Sequence, residues 1–236
     1  MAEIHEIRGN IFESSCQTLV NTVNCVGVMG KGIAFAFRHR FPEMYEAYAR
    51  ACRNGRLRPG LLLLWNKSRP WILNFPTKDH WRNPSKIAYI EEGLKKFSMS
   101  YSQKGITSVA FPMLGTSQGG LNWNDVRPLM YHYLEPLKNL DVEIYYYDPS
   151  APDSLFDKLL QRVRRFEAED YIRNLGITRP QANAIHMAIR AGAIRSMVDF
   201  QDIPGVGEKT FNKLFRLAER SGGPFQTSHE IQPPLL

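Results

Sequence analysis

The chain has 236 residues, a formal net charge of +7 and 43% hydrophobic residues, a composition typical of globular proteins. Its length predicts one substantial domain and one smaller one. The longest aliphatic run, residues 61–64, is too short to span a membrane, and the acidic first ten residues do not resemble a secretory signal. Three cysteines without a CxxC pair suit reduced thiols, and no Cys/His spacing predicts a metal site. We therefore expect a cytoplasmic protein with no membrane partner, no metal and no cofactor.

Positive charge is spread over the whole chain. Residues 1–150 carry 18 lysines and arginines against 13 aspartates and glutamates, and residues 151–236 carry 12 against 10. A mild excess in both parts favours an anionic partner such as a nucleotide or a nucleic acid.

Strand and helix patterns alternate through the first 150 residues. Short β-branched or aromatic runs predict strands at 4–7, 18–23, 61–65, 71–75, 108–111 and 143–147. Helical spacing of apolar residues predicts helices at 33–40, 43–53, 87–101 and 123–137. Such alternation predicts an α/β domain with helices on both faces of a parallel or mixed sheet, whose ligands bind beyond the carboxyl ends of the strands.

The remainder of the chain is predicted to be all-α. The stretch YYYDPSAPDS, with two prolines, resembles a linker, and helices are predicted at 155–175, 180–191, 197–200 and 209–220. These patterns divide the chain into a domain at 1–150, a small helical domain at 155–222 and a frayed tail at 223–236.

Three segments of the first domain lie where chemistry is expected. Glycine-rich turns follow strands at 21–37 and at 113–123, and each precedes a helix whose free N–H groups suit a phosphate. A purely structural tight turn is the alternative for each. Lys78 and His80 follow the strand at 71–75, where a solvated loop with a stray charge is the alternative reading. Together the segments predict a cleft that binds a diphosphate from two sides.

The motifs RGNIF, LVNTVNCVGVMGKGIAFAF, NFPTKDHW and GTSQGGLNW occur in this order, and together they resemble the macrodomain family. They are most similar to its DarG-like branch, the DNA ADP-ribosyl glycohydrolases, which is related to terminal ADP-ribose glycohydrolase. The resemblance covers about residues 1–150. It implies a mixed sheet sandwiched by helices, binding of ADP-ribose, and removal of ADP-ribose from a DNA base. It also implies ADP-ribosylated DNA and a cognate DNA ADP-ribosyltransferase toxin as partners.

The resemblance further implies which residues hold ADP-ribose. Asn10 and Ile11 would lie at the adenine end, Tyr147 would pack on the adenine, and Asn24 would bond the distal ribose. The phosphates would be held by two runs of backbone amides: Gly27, Val28, Met29, Gly30, Lys31, Gly32 and Ile33 in the first turn, and Thr116, Ser117, Gln118, Gly119, Gly120 and Leu121 in the second.

Lys78 is implied to be the catalytic residue. Its amine, when neutral, would attack the anomeric carbon of the distal ribose and form a transient Schiff-base or Amadori-type adduct. Alternatively, the ammonium would protonate or stabilise the departing base. His80 is a candidate for proton transfer because histidines titrate near neutrality, and a structural histidine is the alternative.

The second turn departs from its relatives at two positions. Gly119 stands where terminal ADP-ribose glycohydrolase has an acid, and Asn122 replaces the carboxylate of the DarG-like pattern GCGNGGLDW. No carboxylate of this motif is therefore available for acid–base chemistry, and Asp125 is read as an ordinary acid of a first helical turn. Trp81 and Trp123 are predicted to pack within loops rather than to stack on bases.

The segment SMVDFQDIPGVGEKTFNKLFRL resembles a helix-hairpin-helix element. Gly205 and Gly207 would permit its tight turn, the turn amides would approach a DNA phosphate, and Lys209 and Lys213, one helical turn apart, would point the same way. A helical hairpin used only for packing is the alternative. The whole chain is predicted to be a DNA ADP-ribosyl glycohydrolase. Its rivals are a non-catalytic ADP-ribose reader and a hydrolase of protein-linked ADP-ribose or of ADP-ribose 1''-phosphate.

Overall fold

A computed structural model describes residues 1–220, so the predicted tail at 223–236 and the last residues of the predicted domain at 155–222 lie outside the described part. The chain divides into two units, Met1–Ala151 and a second one that begins at Pro152. Within residues 1–220, no helix combines the length and the apolar character that crossing a membrane requires.

The first unit is built on a six-stranded sheet. Its strands are β1 (Glu3–Gly9), β2 (Thr18–Val23), β3 (Leu63–Trp65), β4 (Trp71–Pro76), β5 (Ser108–Pro112) and β6 (Asp141–Tyr147). The order is β1-β6-β5-β2-β4-β3, and every pair is parallel except β3 with β4. All six predicted strands are confirmed within two residues. Because five strands run parallel, their carboxyl ends meet at one edge of the sheet.

Helices cover both faces of this sheet. Helices α1 (Gly32–Arg40) and α2 (Pro42–Arg53) lie on one face, and α3 (Ile87–Ser100) and α4 (Trp123–Leu134) on the other. Successive residues of a strand point to opposite faces, so Leu19 packs in the first core and Val20 in the second. Both side chains are almost fully buried. The predicted α/β class, a mixed sheet between helices, is confirmed.

The second unit is helical throughout its described part. It contains α5 (Ser154–Val163), α6 (Ala168–Leu175), α7 (Arg179–Arg190), a 3-10 helix (Val198–Asp202) and α8 (Glu208–Glu219). The single helix predicted at 155–175 is wrong, because the chain breaks between α5 and α6. There Phe166 turns into the core, and Glu167 with Asp170 forms a capping box that starts a new helix.

Asp153 joins two parts of the second unit. It belongs to the predicted linker but is buried, and its carboxylate accepts hydrogen bonds from Leu155 N and Phe156 N at the start of α5. The same carboxylate accepts from Met197 N at 3.0 Å, just before the 3-10 helix. A short polar segment therefore anchors the start of the helical unit.

A polar cluster joins β1, β6 and α4 of the first unit. The Glu6 carboxylate accepts hydrogen bonds from Arg127 Nε at 2.6 Å, from the Tyr146 hydroxyl at 2.8 Å and from the Tyr131 hydroxyl at 3.0 Å. The Trp123 indole N–H donates to the Tyr146 oxygen. Partial burial raises the pKa of Glu6, but the bonds from Tyr146, Arg127 and Tyr131 outweigh that effect, so the net pKa is lowered.

This cluster predicts a pH-dependent loss of stability in a Glu6→Gln variant. A carboxyl whose folded pKa is depressed contributes stability above its unfolded pKa, and the contribution is lost as pH falls through the folded value. We expect the free energy of unfolding to fall by about 1 kcal/mol at pH 7 and by less near pH 3. Urea melts at both pH values test this, with Glu3→Gln on the same strand as the control. A loss of equal size at both pH values would contradict the assignment.

Candidate active site

Five chain segments meet at the carboxyl edge of the sheet. The register pairs Val23 with Pro76 and Gly9 with Tyr147, so β2 and β4 end side by side, as do β1 and β6. Pro112, the last residue of β5, pairs with Tyr145. The residues that follow these five strands are the ones that the sequence singled out: 10–11, 24–33, 77–81, 113–122 and 147.

The side chain of Asn24 shapes the first glycine-rich loop. Its Oδ1 accepts hydrogen bonds from Val26 N at 3.0 Å and Val28 N at 3.3 Å, and its Nδ2 donates to the Val28 carbonyl at 2.6 Å. The buried Tyr48 hydroxyl lies 2.8 Å from the Asn24 backbone oxygen and 3.1 Å from Oδ1. The carboxamide is thus engaged with its own loop, and contact with a distal ribose remains a prediction for this residue.

Open backbone amides remain at the end of this loop. Gly27 and Gly32 have φ of +80° and +59°, so the chain can turn into α1 without a steric penalty. The N–H groups of Gly30, Lys31, Gly32 and Ile33 make no hydrogen bond among the described residues. Met29 differs from its neighbours because its side chain is fully buried against Asn21. The amides at the start of α1 are therefore available to an anion, and phosphate binding there stays a prediction.

The second glycine-rich loop is closed tightly on itself. A Cβ at Gly119 would lie 2.1 Å from the Gly115 carbonyl oxygen and 2.3 Å from Ser85 Oγ, so the loop admits no side chain there. This contact explains why an acid is absent at position 119. Asn122 stands where the DarG-like pattern has a carboxylate, and it caps α4. Its Oδ1 accepts a hydrogen bond from Asn124 N at 2.9 Å, so this position has a structural role.

Only part of the second loop is open to a ligand. Thr116 N, Gly120 N and Leu121 N already donate to the carbonyls of Met113, Ser117 and Gly115. The N–H groups of Ser117, Gln118 and Gly119 make no bond among residues 1–220. Of the six amides predicted to hold phosphate, these three are therefore available.

Lys78 lies where the two loops face each other. Its Nζ donates to the Gln118 carbonyl at 2.5 Å, and a Cβ at Gly32 would lie 3.6 Å from Gln118 Cγ. The Lys78 carbonyl accepts from Cys25 Sγ at 3.3 Å, which ties the lysine backbone to the first loop. A primary amine thus stands between two sets of open amides. Within the described residues, Lys78 forms no ion pair with a carboxylate.

The nearest thiols are poor nucleophiles. Burial, the Cys52 thiol and Asp79 raise the pKa of Cys25 to about 12, so almost no thiolate forms at neutral pH. Burial also raises the pKa of Cys52. Among the nucleophilic side chains at this edge, the lysine amine is the reactive candidate.

His80 and Trp81 lie in a short turn beyond Lys78. His80 Nδ1 accepts from Arg82 N at 3.2 Å, which assigns the ring proton of neutral His80 to Nε2. His80 thus retains an N–H that can donate a hydrogen bond, and its proton role stays a prediction. Trp123 packs on Tyr146 as expected, with ring centroids 5.5 Å apart. Trp81 also packs within its loop as expected, on the His80 ring and the Arg82 guanidinium, yet 46% of its surface is exposed.

The predicted adenine end lies at the β1–β6 edge. Asn10 Oδ1 accepts from Phe12 N at 3.1 Å, so this side chain caps a short 3-10 helix (Ile11–Glu13). Ile11 is buried, whereas Tyr147 is 64% exposed. Tyr147 is therefore an accessible aromatic surface at this end of the edge. Asn10 Oδ1 already caps the 3-10 helix, so a ligand that bonds it would share this oxygen with Phe12 N.

Comparison with known proteins agrees with this architecture. The Macro domain family matches residues 20–130. The macrodomain of Thermus aquaticus DarG is a similar solved structure, with 40% identity and a TM-score of 0.59, over 62% of this chain and 99% of that one. The chain belongs to the macrodomain family. The predicted fold and the resemblance of its first domain to DarG macrodomains are confirmed.

Two longer relatives carry functional names. A DNA ADP-ribosyl glycohydrolase of Thermus aquaticus is 43% identical over 143 residues, which are 59% of this chain and 40% of that protein. Thermosipho africanus DarTG in complex with ADP-ribose is 37% identical with a TM-score of 0.59, over 65% of this chain and 43% of that one. The macrodomain chain thus spans about two fifths of the length of these relatives.

The second unit of this macrodomain protein contains two tight turns that each precede a helix, here named the first hairpin (before α7) and the second hairpin (before α8). The sequence indicated only the second, and its resemblance to a helix-hairpin-helix element stays a prediction. Gly176 (φ +56°) precedes α7, and Gly205 (φ +82°) lies three residues before α8. Gln181 Nε2 donates to the Gly205 carbonyl at 2.8 Å, and Lys213 Nζ donates to the Gly176 carbonyl at 2.8 Å. Each hairpin therefore binds a helix of the other. The signal for the missed hairpin was the run LGIT before the proline-containing start of α7.

Two predicted roles in the hairpin are corrected. Gly207 does not make the turn, because its φ of −86° suits any residue and a Cβ there would meet nothing within 4 Å. Gly205, with positive φ, makes the turn. Lys213 does not project beside Lys209, since its ammonium is bound to Gly176, whereas Lys209 is exposed.

Proposed function

We propose that the protein is an ADP-ribosyl glycohydrolase that removes ADP-ribose from a modified DNA base. The observation that carries the proposal is the Lys78 amine, which is 2.5 Å from the Gln118 carbonyl and lies between the open amides of two glycine-rich loops. The name of the Thermus aquaticus relative, a DNA ADP-ribosyl glycohydrolase, supports the same reaction and substrate.

The order of loops along the edge orients the ligand. Amides at the start of α1 and in the second loop would hold the two phosphates, and Tyr147 would pack on the adenine. With the adenine at the β1–β6 end, the distal ribose extends toward β2 and β4. Its anomeric carbon then comes to the Lys78 amine.

The proposed reaction breaks the bond between the anomeric carbon and the base nitrogen. The neutral amine of Lys78 attacks the anomeric carbon, and the bonding electrons leave with the base; the base gains the proton that the attacking nitrogen loses, with His80 as the candidate carrier of that proton. Water then hydrolyses the lysine adduct, which releases ADP-ribose and restores the amine. Binding of Nζ to a neutral carbonyl rather than to a carboxylate leaves no ion pair to be broken before deprotonation.

The two rival activities differ in what they require. A reader of ADP-ribose needs no amine at the anomeric carbon, so Lys78 favours an enzyme. Hydrolysis of protein-linked ADP-ribose or of ADP-ribose 1''-phosphate would use the same cleft, and the hairpin unit then has no assigned role. A DNA substrate gives that unit a role and requires a DNA ADP-ribosyltransferase, the proposed cognate toxin, that makes the modification.

We further propose that the second hairpin binds DNA phosphate without reading sequence. Its residues Lys209 and Thr210 have N–H groups with no bond among the described residues, and Lys209 adds an exposed cation. The first hairpin offers less, because Thr178 N donates to Gln181 Oε1 and Pro180 has no N–H. The first hairpin therefore packs against the second and adds no phosphate contact of its own. We accordingly expect this unit to contact only a few phosphates.

Lys78 variants test the enzymatic proposal. We expect both Lys78→Ala and Lys78→Arg to lower kcat on ADP-ribosylated DNA by at least about 10³-fold, or ~4 kcal/mol, since a guanidinium does not deprotonate. The Kd for ADP-ribose, measured by calorimetry, should change less than about threefold because the loops supply the phosphate contacts. Lys95→Ala, an exposed lysine on α3, is the control. ADP-ribosylated protein assayed in parallel identifies the substrate, and a fully active arginine variant would exclude a nucleophilic lysine.

Gly207 offers a clean test of DNA binding. A Cβ there meets no heavy atom of the protein within 4 Å, so we expect Gly207→Val to fold, with only the small loss of stability that a poorer N-cap causes, while its side chain blocks the approach of a phosphate. The Kd for duplexes of unrelated sequence should rise at least about threefold, and Lys209→Ala should lower the salt dependence by about one phosphate. Lys158→Ala, which removes an exposed lysine on α5 of the same unit, is the control. Unchanged DNA affinity in both variants would leave the hairpin as a packing element.

A further inference from the structure

The loop beyond Lys78 presents an aromatic side chain to solvent. Trp81 is 46% exposed, although large aromatic side chains usually gain stability from burial. The His80 ring is stacked beside its indole at 5.6 Å, and the Arg82 guanidinium carbon lies 4.6 Å from the centroid of the indole ring. The three consecutive side chains thus form one exposed group of two rings and a cation, here named the 80–82 stack.

The charge around the 80–82 stack suits an anionic partner. Arg82 contacts the indole and, among the described residues, forms no ion pair with a carboxylate. The one acid of this loop, Asp79, accepts hydrogen bonds from Asn83 Nδ2 and His80 N. The hydrogen bond from Asn83 has the larger effect and the one from His80 N the smaller, and both lower the pKa of the Asp79 carboxyl. Because the Asp79 carboxylate is occupied within the loop, the Arg82 guanidinium is available to a phosphate.

The loop is held in a fixed shape before any ligand binds. Arg82 N donates to His80 Nδ1 at 3.2 Å, Asn83 N donates to the His80 carbonyl at 3.1 Å, and Cys25 N donates to the Asp79 carbonyl at 3.1 Å. A rigid aromatic surface loses little conformational entropy when a ligand stacks on it. Trp81 is also three residues from Lys78, so their Cα atoms lie within about 11 Å.

We propose that the 80–82 stack is a subsite for the nucleotide next to the modified one on a single DNA strand. The neighbouring base stacks on the indole of Trp81 in place of the Arg82 guanidinium, and this guanidinium then pairs with the flanking phosphate. A duplex keeps its bases stacked on each other, so the subsite selects unpaired DNA. This inference rests on the proposed function, because it places the anomeric carbon of the substrate at Lys78.

Kinetics on two substrates test the subsite. The substrates are an ADP-ribosylated nucleoside and a single-stranded oligonucleotide with the same modified base in its interior. For Trp81→Ala, the KM on the oligonucleotide should rise about 5- to 100-fold relative to the KM on the nucleoside, because one base–aromatic stack is lost. Trp81→Phe should recover most of this loss. Met99→Ala, an exposed apolar residue on α3, is the control and should leave the ratio unchanged.

A binding measurement separates this inference from the proposed function. The full chain is titrated into a labelled, unmodified single-stranded oligonucleotide, and anisotropy gives the Kd without any hydrolysis. Trp81→Ala should weaken this binding at least about fivefold, and Met99→Ala should not. If the wild type hydrolyses neither the ADP-ribosylated nucleoside nor the ADP-ribosylated oligonucleotide while Trp81→Ala still weakens binding, the proposed function fails and a DNA-binding subsite stands. Equal Kd values for the wild type and Trp81→Ala would overturn the subsite.

Discussion

The parallel pairing of β2 with β4 is the constraint on which the site depends. The hydrogen bonds between the two strands continue past their ends, from Thr77 N to the Val23 carbonyl at 2.9 Å and from Cys25 N to the Asp79 carbonyl at 3.1 Å. Because parallel strands leave a sheet at the same edge, the Asn24 loop and the Lys78 loop must run side by side. A one-residue slip of β2 in this register would move each of its side chains to the opposite face of the sheet, so Leu19 and Val20 would exchange cores.

The edge is organised before a ligand arrives. Gly119 is in such close contact with Gly115 that no side chain fits, and Asn24 uses its carboxamide to close its own loop. Tyr48, buried in α2, holds Asn24 from behind. In the proposed reaction, amides fixed by such contacts would bind phosphate without reorganisation, which would leave binding energy for positioning the reacting carbon at Lys78.

Much of the fold could be predicted from the sequence because its signals are local. Apolar runs bounded by glycine or proline mark the six strands, and glycine after a strand marks both ligand loops. The break between α5 and α6 was missed because it depends on Phe166 reaching the core, a tertiary contact that overrides helical spacing. The pairing of β1 with β6, far along the chain, places Tyr147 beside Gly9. No local sequence pattern indicates this pairing.

The sequence motifs predicted where the candidate site residues lie more reliably than which atoms they contact. The motifs located Lys78 at the edge, but not its bond to Gln118. The roles of Gly207 and Lys213 were misjudged because backbone φ and a partner at Gly176 follow from packing between two hairpins. The exposure of Trp81 likewise follows from how its turn is folded. Helical spacing places a side chain on a face, whereas its partner depends on the whole unit.

The most direct test of the account is to trap the lysine adduct during turnover. The protein is mixed with ADP-ribosylated single-stranded DNA and a borohydride reagent, digested, and analysed by mass spectrometry. If the Lys78 amine attacks the anomeric carbon, the peptide that contains Lys78 gains a stable ADP-ribose-derived mass, and Lys78→Arg gains none. Full turnover with no adduct at Lys78, or an adduct at another lysine only, would contradict the central claim.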